Sequence, residues 1–415
     1  MTVHRIEQAR SPNSLRRAWQ TPFSNSAFPM KPIRFVLAPL VVALCSTVVG
    51  CQSDVDGIAR NVKTNDIKPP STAVEESFGE TGAEITLLLP KAASGVYEGT
   101  ARDVRDGAAL SVAELGANQV FVKVVDVSGG PASAAVAVAA AKARGSALLV
   151  SYAEPAVTSA IAAMPSDQRP ALLNLGLSVP ASAGNVYNLV SDEIDSVIEG
   201  ARAAAASGHK KVVAFAQSDF PAAGETRLSD AIRTGGGTFI GLARYDLTDA
   251  SAADAVQRSR AMLQGADTVL VLGKTVIATT VIGAIKASGQ SNLTFVGTSA
   301  WPPQAHTNSS VSGTLIAMVE PEAATLIGER YKLHYKRQLS TDAAYAYDTV
   351  AIASGIIRTK GPEGLNAEGL TSKVGFRGVT GLFRLTPAGN VDRKLSLYTL
   401  SGGKLNLMGA APASF

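Results

Sequence analysis

Apolar residues fall along this chain in two rhythms. Short runs at 85–89, 120–125, 147–151, 171–175, 212–216, 238–243, 268–272 and 294–297 are nearly continuous in Val, Ile, Leu and Ala, the pattern of strands buried on both faces. Between them apolar positions recur every three or four residues. In the clearest such segment Ile194, Val197, Ile198 and Ala201 form one stripe, Ser191 stands where a cap belongs and Gly208 where the helix stops. Strands alternating with helices predict βαβ units and parallel sheets covered on both sides. Eight such strands fit one closed barrel or two doubly wound sheets, and no internal repeat is visible to choose between them.

The start of the chain follows another rule. Met30-Lys-Pro-Ile-Arg-Phe is a short basic stretch, the run 35–50 is apolar, and Cys51 follows at once. A charged segment, an apolar segment and small residues at a cleavage point are the layout of a signal peptide. The run is shorter than the roughly 20 apolar residues of a spanning helix. Val48-Val49-Gly50-Cys51 resembles the bacterial lipobox, whose cysteine is acylated and becomes the mature N-terminus. Residues 1–50 are therefore expected to be leader, with translation starting at Met30, and Cys51 the lipidation site. Residues 51–82, polar and holding Pro69-Pro70, are expected to be a flexible tether.

Charge and cysteine content sharpen this picture. The formal charge of +4 is concentrated in residues 1–50, where six basic residues face Glu7 alone; the rest holds 32 basic and 33 acidic residues. The basic balance belongs to the leader, and the folded part has no nucleic-acid footprint. Both cysteines, Cys45 and Cys51, lie at the leader, so no disulfide framework or thiolate metal site exists beyond it. The four histidines, His4, His209, His306 and His334, are scattered, with no pair at helical ligand spacing. No metal and no cofactor is expected.

No catalytic motif in the sequence is complete. Gly273-Lys274-Thr275 has the ending of a phosphate-binding loop, but Thr268 stands where the loop needs its first glycine, so a strand end turning into a helix accounts for it. Gly235-Gly-Gly237 reads as a helix end and turn. There is no Gly-x-Ser-x-Gly elbow and no His-Glu-x-x-His run, and the acidic residues are dispersed. Nothing in the sequence argues for an enzyme.

Several segments in order resemble the type 1 periplasmic binding proteins, in particular the leucine/isoleucine/valine-binding branch. They are Ile85-Thr-Leu-Leu-Leu-Pro90 with Ser94-Gly95, Asp106-Gly107-Ala-Ala-Leu110, Val124-Val-Asp-Val-Ser-Gly-Gly-Pro131, and Lys211-Val-Val-Ala-Phe-Ala-Gln-Ser-Asp219. Ala266-Asp-Thr-Val-Leu-Val271, Phe295-Val-Gly-Thr-Ser-Ala-Trp301, Ala344-Tyr-Ala-Tyr-Asp-Thr-Val350 and the late hairpin 378–389 continue the series. The resemblance implies an α/β protein of two doubly wound parallel-sheet lobes joined by three crossovers, near 188–192, 313–319 and 385–395. It implies lobe 1 from 83–190 plus 317–388, and lobe 2 from 191–316 plus 389–415.

Ligands of doubly wound sheets sit beyond the carboxyl ends of the strands. The corresponding loops are 91–97, 151–154, 177–178, 217–220, 274–275 and 299–301. The resemblance makes Ser151, Tyr152 and Ser178 the groups that hold a ligand carboxylate and Phe220 an aromatic wall; Trp301, an aromatic on a loop, either lines the pocket or packs between the lobes, and the pocket is the expectation. The chain departs from amino-acid-binding relatives in two places. Val150-Ser-Tyr-Ala-Glu-Pro155 replaces a glycine-rich turn, and no single acid is marked for a ligand ammonium; Glu154, Asp219 and Glu320 are the candidates.

Two functions fit. One is a lipid-anchored receptor that binds a small polar, amino-acid- or peptide-like ligand between its lobes for an ABC permease or for sensing. The other is a protein–protein module that activates a peptidoglycan synthase, a penicillin-binding protein, without transport. Gln52 after the lipidated cysteine, where aspartate signals inner-membrane retention, favours a periplasmic domain held at the outer membrane. Lipidation has a direct test: Cys51→Ser should shift the protein from the membrane to the soluble fraction and abolish fatty-acid labelling. A variant that stays in the membrane, with neither form labelled, contradicts it.

Overall fold

The computed structural model describes residues 75–92, 96–116, 118–190, 193–290 and 292–415. The leader, Cys51, the segment 52–74 and the Ser191 cap position lie outside them. All eight predicted strands are present. In the first sheet β1 (Glu75–Phe78), β2 (Ala83–Leu89), β3 (Val120–Asp126), β4 (Leu148–Ser151), β5 (Ala171–Asn174) and β6 (Val186–Asn188) stand in the order β1-β3-β2-β4-β5-β6. All pairs are parallel except β1 with β3. The second sheet contains β7 (Lys211–Gln217), β8 (Thr238–Tyr245), β9 (Thr268–Val271), β10 (Thr294–Val296), β11 (Leu315–Met318), β15 (Ser396–Ser401) and β16 (Lys404–Gly409). Their order is β16-β15-β11-β10-β9-β7-β8.

The parallel strands of both sheets share one winding. In chain order each runs second, first, third, fourth, fifth, so two lobes of the same doubly wound topology arise without sequence repetition. Each sheet is covered on both faces, which is why its strands read as continuous apolar runs rather than alternating ones. On the first sheet Leu87, Val122, Val124 and Val150 face one core, while Leu88, Leu149 and Leu172 face another. On the second sheet Val213, Phe215 and Val271 face one core, and Val212, Ala214 and Leu270 the other.

A third sheet of β12 (Phe376–Gly378), β13 (Gly381–Leu385) and β14 (Val391–Lys394) is antiparallel throughout. Phe383, Leu385 and Val391 complete the core of the first lobe, together with Tyr345, Val350 and Ala353 of the helix Thr341–Lys360. This corrects the expected division, in which 389–394 belonged to the second lobe: β14 pairs only with β13, and the chain passes to the second sheet at Leu395. The tether is corrected too, because its last residues form β1. Phe78 is buried there, and the charge that disguised the segment is neutralised: Glu76, itself buried, is ion-paired with Arg105 and lies 3.8 Å from Lys91.

Asp348, in the middle of the helix Thr341–Lys360, fixes the third sheet. Its carboxylate accepts the N–H of Val379 (2.8 Å), the N–H of Thr380 (2.9 Å) and the Thr380 hydroxyl (2.5 Å). A Cβ on Gly378 would stand 2.4 Å from the Asp348 carboxyl carbon, so only glycine lets the hairpin approach this closely.

Burial pushes the Asp348 carboxyl up to about 6, against the bonds from Thr380 and Val379 and the nearby Arg393 charge, which pull it down. The native state thus keeps this proton to higher pH than the unfolded chain, which loses it near 3.8. The native state binds the extra proton between those values, so stability falls as pH rises through the window. Relative to Asp348→Asn, the wild-type protein should lose up to about 3 kcal/mol between pH 4 and 7 in urea unfolding. A pH-independent difference contradicts this ionisation.

Candidate ligand-binding site

The three passages between the lobes all lie at carboxyl edges. Strand β6 ends at Asn188 on the carboxyl edge of the first sheet, and after four intervening residues the helix Glu193–Ala206 begins. Glu193 accepts the N–H of Gly273 at 2.6 Å, just past the carboxyl end of β9. Four intervening residues span at most ~18 Å, so the carboxyl edges of the two sheets are neighbours. The second passage leaves β11 at Met318, and the third enters β15 at Ser396, which is paired with Met318. Everything beyond the carboxyl ends of one sheet therefore opens toward the other.

Within each edge the crevice lies where the winding reverses, between β2 and β4 in the first lobe and between β7 and β9 in the second. In the first lobe Lys91 and Tyr152 follow those strands. Lys91 N–H donates to Asp126 at 3.0 Å, and Ser128 donates to the same carboxylate through N–H (2.9 Å) and hydroxyl (2.5 Å). Burial pushes the Asp126 carboxyl upward, but these bonds and the Lys91 charge outweigh it and hold it below its ordinary value. Tyr152 is half-buried against the first-lobe core.

The neighbouring loop at 175–179 is held by two buried amides. Asn174 donates to Leu177 O (2.7 Å) and to Asn188 Oδ1 (2.8 Å), and Asn188 also accepts from Val179 N–H (3.0 Å). Asn188 N–H in turn donates to Gly389 O at 2.8 Å, tying the loop and the first passage to the third sheet. On this loop Leu177 is 69% exposed and Ser178 is exposed beside it.

At the second-lobe crevice Arg244 clamps the loop after β7, donating to Phe220 O (2.6 Å) and to Glu225 (2.9 Å). Two buried polar atoms flank this crevice without a hydrogen-bond partner, Gln217 Nε2 and Thr275 Oγ1. Tyr245 donates to Leu272 O at 2.6 Å, and its hydroxyl is held protonated, first by burial and then by the Glu193 charge. The Glu193 carboxylate already occupies the Gly273 N–H, so this turn is not built to cradle a phosphate. Leu247 and Val276 are exposed on the same edge.

The sequence-predicted site residues divide. Tyr152 lies at the first-lobe crevice, and Ser178 lies one strand away from it. Ser151 is fully buried and its hydroxyl is 3.1 Å from that of Thr158, on the sheet face opposite Tyr152. Phe220 is buried in the second-lobe core with Ile194 and Leu228. Trp301, 3% exposed, is packed over Gly297 inside the second lobe rather than on an open loop, with Nε1 buried and unpartnered. Among the three acids, Glu154 and Asp219 are exposed, and Glu320 accepts the Ser396 hydroxyl at 2.6 Å. Gln217 and Thr275 fall within the expected loops 217–220 and 274–275, though neither was singled out there, and Arg244 and the Asn174–Asn188 pair had no sequence signal, since a lone polar residue at a strand end looks like any turn residue. A shallow depression lined by Ile198, Ala201, Val212 and Ile232 lies at the amino end of β7, away from this site.

Two doubly wound lobes, joined three times at their carboxyl edges, define a two-lobed binding domain. The family profile described as "Periplasmic binding protein" matches residues 84–404, and the chain belongs to that family. No curated protein matches. Among solved structures, a protein described as a branched-chain amino acid ABC transporter from Rhodospirillum rubrum aligns with a TM-score of 0.64 at 16% identity, covering 79% of this chain and all of that one. An ABC transporter substrate-binding protein from Desulfitobacterium hafniense in complex with Leu aligns at 0.53 and 17%, covering 79% and 100%. A solute-binding protein from R. palustris in complex with benzoate aligns at 0.50 and 18%, covering 80% and 97%. At these identities the likeness to the solved structures is one of fold.

The Ser151 geometry makes a stability prediction. Ser151→Ala should cost about 1 kcal/mol through its bond to Thr158, and Thr158→Ala should cost less in that background than alone. Additive losses contradict an internal role for the Ser151 hydroxyl.

Proposed function

We propose that this protein is an extracytoplasmic receptor, anchored through lipidated Cys51, that closes its two lobes on a small ligand for delivery to an ABC permease. The observation that carries this reading is the pair of orphaned polar atoms, Gln217 Nε2 and Thr275 Oγ1, at the point of the second sheet where its winding reverses. Leaving a buried polar group unpaired costs about 1–3 kcal/mol, and a ligand acceptor delivered from the first lobe would remove that cost. Tyr152 and Ser178 are the first-lobe groups placed to meet the same ligand. Leu177, Leu247 and Val276, exposed around both edges, favour a ligand with an apolar portion beside its polar end. Among the described residues no helix is long and apolar enough to cross a membrane; Val48-Val49-Gly50-Cys51 is what supports Cys51 as the anchor. The similar structures named above are described as ABC-transporter or solute-binding proteins, which favours the receptor over the synthase activator.

The test is a melting-temperature screen of amino acids, short peptides, aromatic carboxylates and muropeptide fragments. A ligand at a hundredfold excess over its Kd stabilises by about 2.7 kcal/mol. Gln217→Leu and Thr275→Val should each weaken the best hit by about 0.5–1.5 kcal/mol while leaving the ligand-free protein as stable or more so. If no small molecule shifts the melt and a periplasmic synthase domain binds instead, the receptor reading fails.

A further inference from the structure

The segment after β16 does not stay on the second lobe. Strand β16 is the edge of the second sheet, paired with β15 alone. Just beyond it, Ala411 N–H donates to Ser396 Oγ at 2.7 Å, and Ser396 donates in turn to Glu320 at 2.6 Å, so the chain lies against the second and third passages. Arg377 of β12 then donates to Ala413 O at 2.9 Å. The Phe415 ring finishes against the third sheet. Arg384 Cζ of β13 and Lys394 Nζ of β14 stand 4.4 and 5.4 Å from its centroid, and a Cβ on Gly375 would be 2.8 Å from its edge. Arg384 is held in place by Asp392 at 2.8 Å.

The third sheet is built into the first lobe, through Asp348 beneath its hairpin and through Phe383, Leu385 and Val391 in that core. Residues 410–415 thus begin on one lobe and are fastened to the other, beside the passages about which the lobes turn. We propose that this segment is a strap that limits how far the two lobes can separate. Any opening rotation that carries β16 away from β12–β14 must extend the strap or detach Phe415, and six residues reach only ~20 Å when fully extended. The packing of an aromatic face under two cations gives the strap a defined seat rather than a loose end. The inference needs no ligand, so it stands or falls apart from the receptor reading.

The experiment uses the full chain with Cys45 and Cys51 replaced by Ser, and spin labels at Val136→Cys and Gln257→Cys, exposed positions on the two lobes. Electron–electron distance measurements are made without ligand. Phe415→Ala, which empties the seat, should broaden the interlobe distance distribution and add a tail at longer separations. Arg377→Met, which removes one bond and leaves Phe415 in place, should broaden it less. Circular dichroism establishes that both variants keep their secondary structure. Distributions that superimpose on the parent in both variants overturn the strap, and so does broadening by Arg377→Met that equals or exceeds that of Phe415→Ala.

Discussion

The guanidinium of Arg393 is the constraint about which the two lobes are joined. It is 1% exposed, sits on β14 opposite Phe383, and donates to Thr380 O at 3.0 Å and to Leu189 O at 2.7 Å. Leu189 is the first residue of the first passage, and Arg393 lies three residues before the third passage closes into β15 at Ser396. One side chain thus ties two of the three connections to each other. The Tyr345 and Phe383 rings, 5.1 and 4.9 Å from its Cζ, take the place of water around the charge. The negative counterpart is Asp348, reached through Thr380, so a buried acid and a buried base are held on one hairpin turn. Buried ions are costly unless hydrogen-bonded; Asp348 accepts from Val379 and Thr380, and the two terminal nitrogens of Arg393 donate to carbonyls, while its Nε is buried without a partner.

Around that joint the remaining contacts divide by lobe. Arg227 of the helix Ala222–Thr234 is ion-paired with Asp195 and donates to Val391 O at 3.1 Å, reaching from the second lobe onto β14. Asn188 reaches from the first lobe to Gly389. Gly389 has φ +81° and lies so close to Val186 that a Cβ would be 2.5 Å from its carbonyl oxygen, so the turn between β13 and β14 is shaped to receive this strand. The joint is buried and hydrogen-bonded at its centre, while the carboxyl-edge loops on either side carry exposed apolar and unpartnered polar groups.

The doubly wound strands were legible because burial on both faces leaves no alternation to misread. The late hairpin was legible through its family resemblance. Strand β1 was hidden because Glu75 and Glu76 read as solvated, whereas Glu76 is paired inside the lobe. Strand β11 and the end of β6 lie in the stretches expected to be crossovers, near 313–319 and 188–192, so their apolar residues were not read as strands. The site was less legible than the fold for a physical reason. In a sheet covered on both sides, one residue of register decides whether a hydroxyl faces a helix or the cleft, and Ser151 faces Thr158 while Tyr152 beside it takes the other face. Trp301 shows the same limit from the loop side, since a loop aromatic can fold back over a glycine such as Gly297 and become core.

The claim that the lobes are held together through Arg393 is tested most directly by urea unfolding of Arg393→Met. This substitution keeps the bulk of the side chain's stem but strands the carbonyls of Leu189 and Thr380 and leaves Asp348 without its counter-charge. A loss of about 3–5 kcal/mol is predicted, the cost of breaking a buried charged network from one side. Stability within about 0.5 kcal/mol of the parent would show that the joint does not depend on this residue.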